Sequence, residues 1–165
     1  MKLFSSETRS LKVGRAVISP MYLQDTLKMK IICRKNKIDN SFTPDTVSRL
    51  KRYISIGNNE LDIEPGKEYV VYGVEFWDNC PWLYICSESY HEYPKPYASD
   101  FFKISDNKLS AQWILKSRET HNHKNKTQLV FPEWADDESF YEKLIDENKT
   151  CIDIFKKHRK IMDTE

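Results

Sequence analysis

Residues 61–87 read "LDIEPGKEYVVYGVEFWDNCPWLYICS", and their punctuation fixes the fold class. Pro65-Gly66 is a turn pair, because proline presets one turn dihedral and glycine supplies the left-handed one. Beyond it Tyr69, Val71, Gly73 and Glu75 alternate with Val70, Tyr72, Val74 and Phe76, the period of two that marks a strand. "DNCP" at 78–81 reverses the chain, and "WLYICS" returns as a second strand rich in aromatic and β-branched side chains. The pattern predicts one strand through 69–76 with an antiparallel neighbour.

Further strands follow at short intervals. "FFKIS" (101–105) reads as a third strand, "DNK" as a turn, "SAQWILK" (110–116) as a fourth and "QLVFP" (128–132) as a fifth. Between the second and third, "YHEYPKPYASD" (90–100) contains Pro94 and Pro96 and is expected to be an exposed, irregular loop. Upstream, "LKMKIICRKNK" (27–37) alternates loosely around Met29, Ile31 and Cys33 as another strand. "SFTPDTVSRLKRYI" (41–54) is a helix with Thr43 as N-cap, Pro44 at the first position and Asp45 in the first turn. Phe42 and Val47 stand at hydrophobic-staple spacing, and Val47, Leu50 and Ile54 share a face.

The last quarter is helical. "DDESFYEKLIDE" (136–147) opens with acids suited to a helix N-terminus and sets Phe140, Leu144 and Ile145 on one face. "TCIDIFKKHRKIM" (150–162) spaces Cys151, Ile154, Phe155, His158, Ile161 and Met162 helically. The expected class is α+β in one domain, 1–165: a small antiparallel, strongly bent sheet or barrel over about 61–131, one short N-terminal-half helix, and C-terminal helices over about 136–162.

The composition suits a packed core, with 13% aromatic residues, and only 4 Gly make glycine-rich phosphate loops scarce. No apolar run approaches a membrane span, and "MKLFSSETRSLKVG" lacks a signal-peptide core, so a cytoplasmic protein without membrane partners is expected. Cys33, Cys80, Cys86 and Cys151 form no CxxC pair and read as reduced, buried thiols. A zinc site from Cys80, Cys86 and His91 has spacings of no common pattern.

A net charge of +1 conceals blocks of opposite sign. Residues 1–59 carry 12 basic and 4 acidic side chains, whereas 60–106 carry 3 and 10. Residues 107–126 are basic, 133–147 acidic with 7 acids against 1 lysine, and the last 18 residues weakly basic. A uniformly basic nucleic-acid binder is not described.

The letters Pro65, Gly66, Lys67, Tyr69, Val70, Val71, Tyr93, Pro94, Phe101 and Phe102 resemble the pattern of small bacterial β-barrel domains of the Src-homology type. The resemblance covers under a third of the chain and speaks to fold only. Barrel-like proteins of this size with added helices are also similar to the immunity proteins of bacterial toxin–immunity pairs. That similarity implies a protein-binding factor with no cofactor.

The residues themselves offer three functions. His121 and His123 in "RETHNHKNKTQ" could bind a metal and, with nearby carboxylates, serve a metal-dependent nuclease or other hydrolase. However, "KNKTQLVFPEW" does not begin the helix a His-Asn-His nuclease requires, and the stretch reads as a basic linker between strands. The acid groups Asp136, Asp137, Glu138 and Glu88, Glu92, Asp100 could also hold a divalent ion, but capping explains the first set. Ser87 and Ser89 in "CSESYH" lack a nucleophile elbow. A nucleic-acid-associated barrel would use Arg34, Lys35, Lys37, Arg49, Lys51 and Arg52 beside Tyr53. The third reading is expected to prevail: a non-enzymatic immunity or antitoxin-like factor blocking a basic toxin domain such as a nuclease. Asp78, Glu88, Glu92 and Asp100 would steer the partner, and Tyr90, Tyr93 and Tyr97 would supply contact area. No catalytic or metal residue is assigned.

Overall fold

In the computed structural model, which describes residues 28–54, 60–89, 91–119 and 125–165, the first strand is β1 (Lys30–Cys33), with Met29, Ile31 and Cys33 buried as their alternation requires. Helix α1 (Pro44–Tyr53) starts at Thr43, whose side chain accepts a hydrogen bond from the Thr46 N–H, and buries Leu50. The alternating stretch 69–76 then departs from expectation. It divides into β2 (Glu68–Val70) and β3 (Gly73–Trp77), which belong to different sheets. The Val71 N–H donates to Met29 O of the first sheet, and the Tyr72 N–H donates to Tyr84 O of the second. A period of two reports a strand's faces but not a change of partner, so the sequence pattern hides the crossing.

Asp78 and Asn79 both have positive φ, 48° and 56°, the two-residue turn that matches strand twist, and Asp and Asn tolerate that conformation best among non-glycine residues. β4 (Cys80–Ile85) returns with Trp77 opposite Cys80. Next comes β5 (Lys95–Ala98), inside the segment expected to be irregular. Pro96 is accommodated because β5 is the outermost strand, where a missing N–H leaves no ladder bond unmade. A short 3-10 turn leads into β6 (Phe102–Asp106). β7 (Ile114–Glu119) starts later than expected, because Ser110 first turns the chain by accepting from the Trp113 and Gln112 N–H groups. β8 (Asn125–Val130) starts earlier, so both flanks of "RETHNHKNKTQ" are strand, while 120–124 lie outside the described residues.

Three helices close the chain: α2 (Pro132–Asp136), α3 (Phe140–Ile145) and α4 (Lys149–Thr164). α2 was not anticipated, although Pro132 occupies its first turn. The acids at 136–138 precede α3 rather than opening it. Asp137 accepts from the Ser139 N–H, while Asp136 and Glu138 pair with Lys116 and Arg118. Asn148 caps α4 through the Cys151 N–H.

All pairings are antiparallel, in a three-stranded sheet β2-β1-β6 and a five-stranded sheet β5-β4-β3-β8-β7, and no barrel closes. The protein is therefore α+β. Ile31, Tyr69 and Phe102 from the small sheet meet Val74, Leu83, Ile85 and Tyr97 of the large one in the first core, which also takes Leu50 of α1. Tyr84 and Val130, on the other face of the large sheet, meet Trp134, Phe140, Phe155 and Met162 in the second. The large sheet is thus sandwiched, apolar on both faces where it is covered.

Opposite charge blocks fold onto one another. Lys30–Glu68, Lys37–Glu60, Arg49–Asp100 and Arg52–Asp78 join the basic first third to the acidic middle. Lys116–Asp136 and Arg118–Glu138 join the next basic block to the acidic helical approach, and Lys156–Glu92 brings α4 to the middle. Most of these pairs are exposed and individually weak. Arg49–Asp100 differs: N···O is 2.6 Å, the side chains are 16% and 22% exposed, and Asp100 also accepts from the Cys80 thiol. Arg49→Ala is expected to cost about 2 kcal/mol in urea denaturation, and the exposed Arg52→Ala about 0.5 kcal/mol or less.

Gly73 has a steric reason to be glycine. A Cβ there would lie 2.9 Å from Val130 Cγ1 and 3.6 Å from the Trp134 ring. Gly73→Ala is expected to lose about 1–3 kcal/mol of stability by overpacking, measured as a lower urea midpoint.

Candidate protein-binding surface

The loop expected to present Tyr90, Tyr93 and Tyr97 is instead fastened down. Arg159 of α4 donates to His91 O at 2.7 Å and Ser89 O at 3.1 Å, and Tyr141 of α3 donates to Pro94 O at 3.2 Å. Tyr97 is 5% exposed, and its hydroxyl donates to Asp62 within the fold, so it offers almost no contact area. Lys95 at 2.7 Å and Ser87 at 3.3 Å also bond Asp62. Partial burial opposes ionisation of Asp62, but the Lys95 and Tyr97 hydrogen bonds hold its carboxyl below the usual value. Tyr93 is half-buried against the helical core, and Tyr90 lies outside the described residues.

The four expected steering acids are at the surface but already paired. Glu92 meets Lys156 at 2.6 Å, Glu88 meets Lys67 at 3.8 Å, Asp100 is held by Arg49 and Asp78 by Arg52 at 2.8 Å. The sequence shows the acids but not the basic side chains brought to them from α1 and α4. Their separation into blocks is an intramolecular arrangement first.

The end of β3 is where large aromatic surface remains outside. Tyr53, Phe76 and Trp77 are 40%, 40% and 42% exposed, the only exposed aromatic side chains among the described residues. Adjacent strand residues face opposite sides, so Phe76 and Trp77 cover both faces of the strand end. Tyr53, the last residue of α1, has its ring centroid 4.4 Å from Trp77, and both touch the buried Trp82 at 5.5 and 5.3 Å. Beside them opens a cleft of about 650 Å³ lined by Tyr53, Glu75, Trp77, Asp78, Asn125 and Lys126. Of the expected binding residues, Asp78 alone belongs to it. A signal for this surface was present: two aromatics in succession before a turn cannot both enter one core.

Glu75 forms the floor, with its side chain 13% exposed. Tyr84 donates to its Oε2 at 2.9 Å and Gln128 Nε2 at 3.2 Å, while Lys126 approaches Oε1 at 3.4 Å. Burial, followed by the field of Glu75, pushes the Tyr84 phenol far up, so it remains a donor throughout the working pH range.

The candidate metal and nucleic-acid sets do not converge. Cys80 belongs to the first core, Cys86 packs against the second, and His91 bonds Ser87 and the Glu88 N–H. Asp137 pairs with Lys143, away from the partners of Asp136 and Glu138. No group of three His, Cys, Asp or Glu is placed to hold a metal among the described residues, and His121 and His123 fall outside them. Of the basic set, Lys35, Lys37, Arg49 and Arg52 are engaged by Asp39, Glu60, Asp100 and Asp78. No described helix is long and apolar enough to cross a membrane. No family model, curated protein or solved structure matches the chain.

All four cysteines are free, and burial pushes every thiol up, Cys86 to about 11. The thiolate is the reactive form. At pH 8 the folded protein is expected to take up less than about one iodoacetamide label by mass spectrometry over minutes, and the urea-unfolded chain all four.

Proposed function

We propose that this protein is a non-enzymatic binding factor of the immunity or antitoxin type, which blocks a basic toxin domain such as a nuclease by covering its active surface. The observation that carries the proposal is the exposed Tyr53–Trp77 pair, with Phe76 exposed on the opposite face of the same strand end. Tyrosine and tryptophan dominate interface hot spots because they remove large apolar area from water at little entropic cost. Among the described residues these are the exposed rings, and docking would remove their area from water.

The proposal moves contact area from Tyr90, Tyr93 and Tyr97 to Tyr53, Phe76 and Trp77, with Asp78 retained at the rim. Steering of a basic partner is assigned to acids left outside the ion pairs described above. Glu142, Asp146 and Glu147 are such acids, exposed on and just after α3 around the 42%-exposed Ile145.

The test is capture of the partner from host extract by the immobilised full chain, its identification by mass spectrometry, and assay of its toxicity with and without this protein. Retention of a basic protein whose activity is suppressed is expected, with Trp77→Ala weakening the complex at least about tenfold while the variant keeps the native circular dichroism spectrum. One divalent ion per chain, lost in His121→Ala together with nuclease activity, would contradict it in favour of the hydrolase. Tight DNA or RNA binding with a steep salt dependence would favour the nucleic-acid-associated alternative.

A further inference from the structure

We infer that the cleft beside Trp77 receives a guanidinium group, the side chain of an arginine presented by the partner. This rests on the protein-binding reading and names the chemistry recognised at its centre. The walls are the half-exposed rings of Tyr53 and Trp77, and the floor is Glu75. A guanidinium is planar, weakly hydrated and rich in N–H donors, so it can lie on an indole face while donating to a carboxylate.

The partners of Glu75 leave room for that cation. Tyr84 and Gln128 satisfy Oε2 with uncharged donors, and Oε1 meets only Lys126 at 3.4 Å, against 2.6 Å for the well-made pairs of Lys37 and Lys156. Lys126 is 31% exposed on a flexible stem and can swing into solvent when a stronger donor enters. Charge-assisted bonds of guanidinium to carboxylate are the strong class, and low exposure of the floor reduces their competition with water.

The rim of the same cleft already shows this chemistry. The Arg52 guanidinium lies 5.9 Å from the Tyr53 ring centroid while bonding Asp78 at 2.8 Å. Lys126 and Arg52 balance Glu75 and Asp78, so a guanidinium enters by displacing the long Lys126 contact, whereas an anion would have to face both carboxylates. A cleft of about 650 Å³ exceeds a guanidinium alone, so flanking backbone of the partner enters with it, and Asn79 and Asn125 offer amides at the rim. A lysine ammonium would supply charge but neither the stacking plane nor the fork.

The test titrates the full chain with N-acetyl-arginine amide, reading the tryptophan indole N–H signals by NMR. N-acetyl-citrulline amide serves as the neutral isostere and N-acetyl-lysine amide as the point charge. Saturable shifts of the Trp77 indole and of its neighbour Trp82 with arginine are expected, at least about tenfold weaker with citrulline; the Trp82 shift is lost in Trp77→Ala, and binding is at least about tenfold weaker in Glu75→Gln. The comparison of arginine with citrulline uses the unaltered protein, so the test does not depend on either variant remaining native. Equal responses to arginine and citrulline, or no saturable arginine shift, would overturn the inference. Capture of a partner through Trp77 without an arginine response removes the guanidinium and keeps the binding function. An arginine response with no captured protein does the reverse.

Discussion

Val71 and Tyr72 are consecutive residues whose N–H groups bond to different sheets, and the arrangement of layers follows from that division. Val71 turns its side chain into the core between the sheets, while Tyr72 enters the helical core and donates to Asp163 of α4 at 2.8 Å. Gly73 then brings β3 close against Val130 of β8, where a Cβ would lie 2.9 Å from Val130 Cγ1. Once β3 is so placed, its far end must emerge beyond α2–α4. Helix α1 meets that end through Tyr53 and, at the turn, through Arg49 and Arg52, and Trp77 and Phe76 stay half uncovered.

Electrostatics acts on this frame by closing it rather than advertising it. Arg52 and Arg49 of α1 hold the turn and the 3-10 segment through Asp78 and Asp100, and Arg159 of α4 holds the carbonyls of Ser89 and His91. These contacts bring together residues 26 to 70 positions apart. A sequence with alternating charge blocks can therefore fold to a largely neutralised surface, and block charge alone is weak evidence for a charged partner. The acids around α3 remain outside these pairs, and in the Trp77 cleft Glu75 is held by lysine only at 3.4 Å.

Much of the fold was legible because local rules govern it. Thr43 and Pro44 specify the start of α1, the Asp78-Asn79 pair specifies a hairpin, and the spacing of Phe155, His158 and Met162 specifies the buried face of α4. Three features were not legible. The crossing at 71–72 preserves the period of two, so nothing in the pattern changes there. β5 contains Pro96, which only an edge position makes tolerable, and edge position is a property of the whole sheet. Tyr97 looked exposed because its prolines suggested a loop, whereas the partner of its buried hydroxyl, the half-exposed Asp62, lies 35 residues away. The binding surface was half visible in the Phe76-Trp77 pair, but which of the protein's many rings α1 and α4 cover is decided by tertiary packing.

Hydrogen–deuterium exchange on the complex with the captured partner tests the central claim most directly, because it locates the contact without altering a residue. The account predicts slowed exchange confined to the end of β3, its turn, the end of α1 and the start of β8. Slowed exchange centred on 87–100, with the β3 end unchanged, would contradict it.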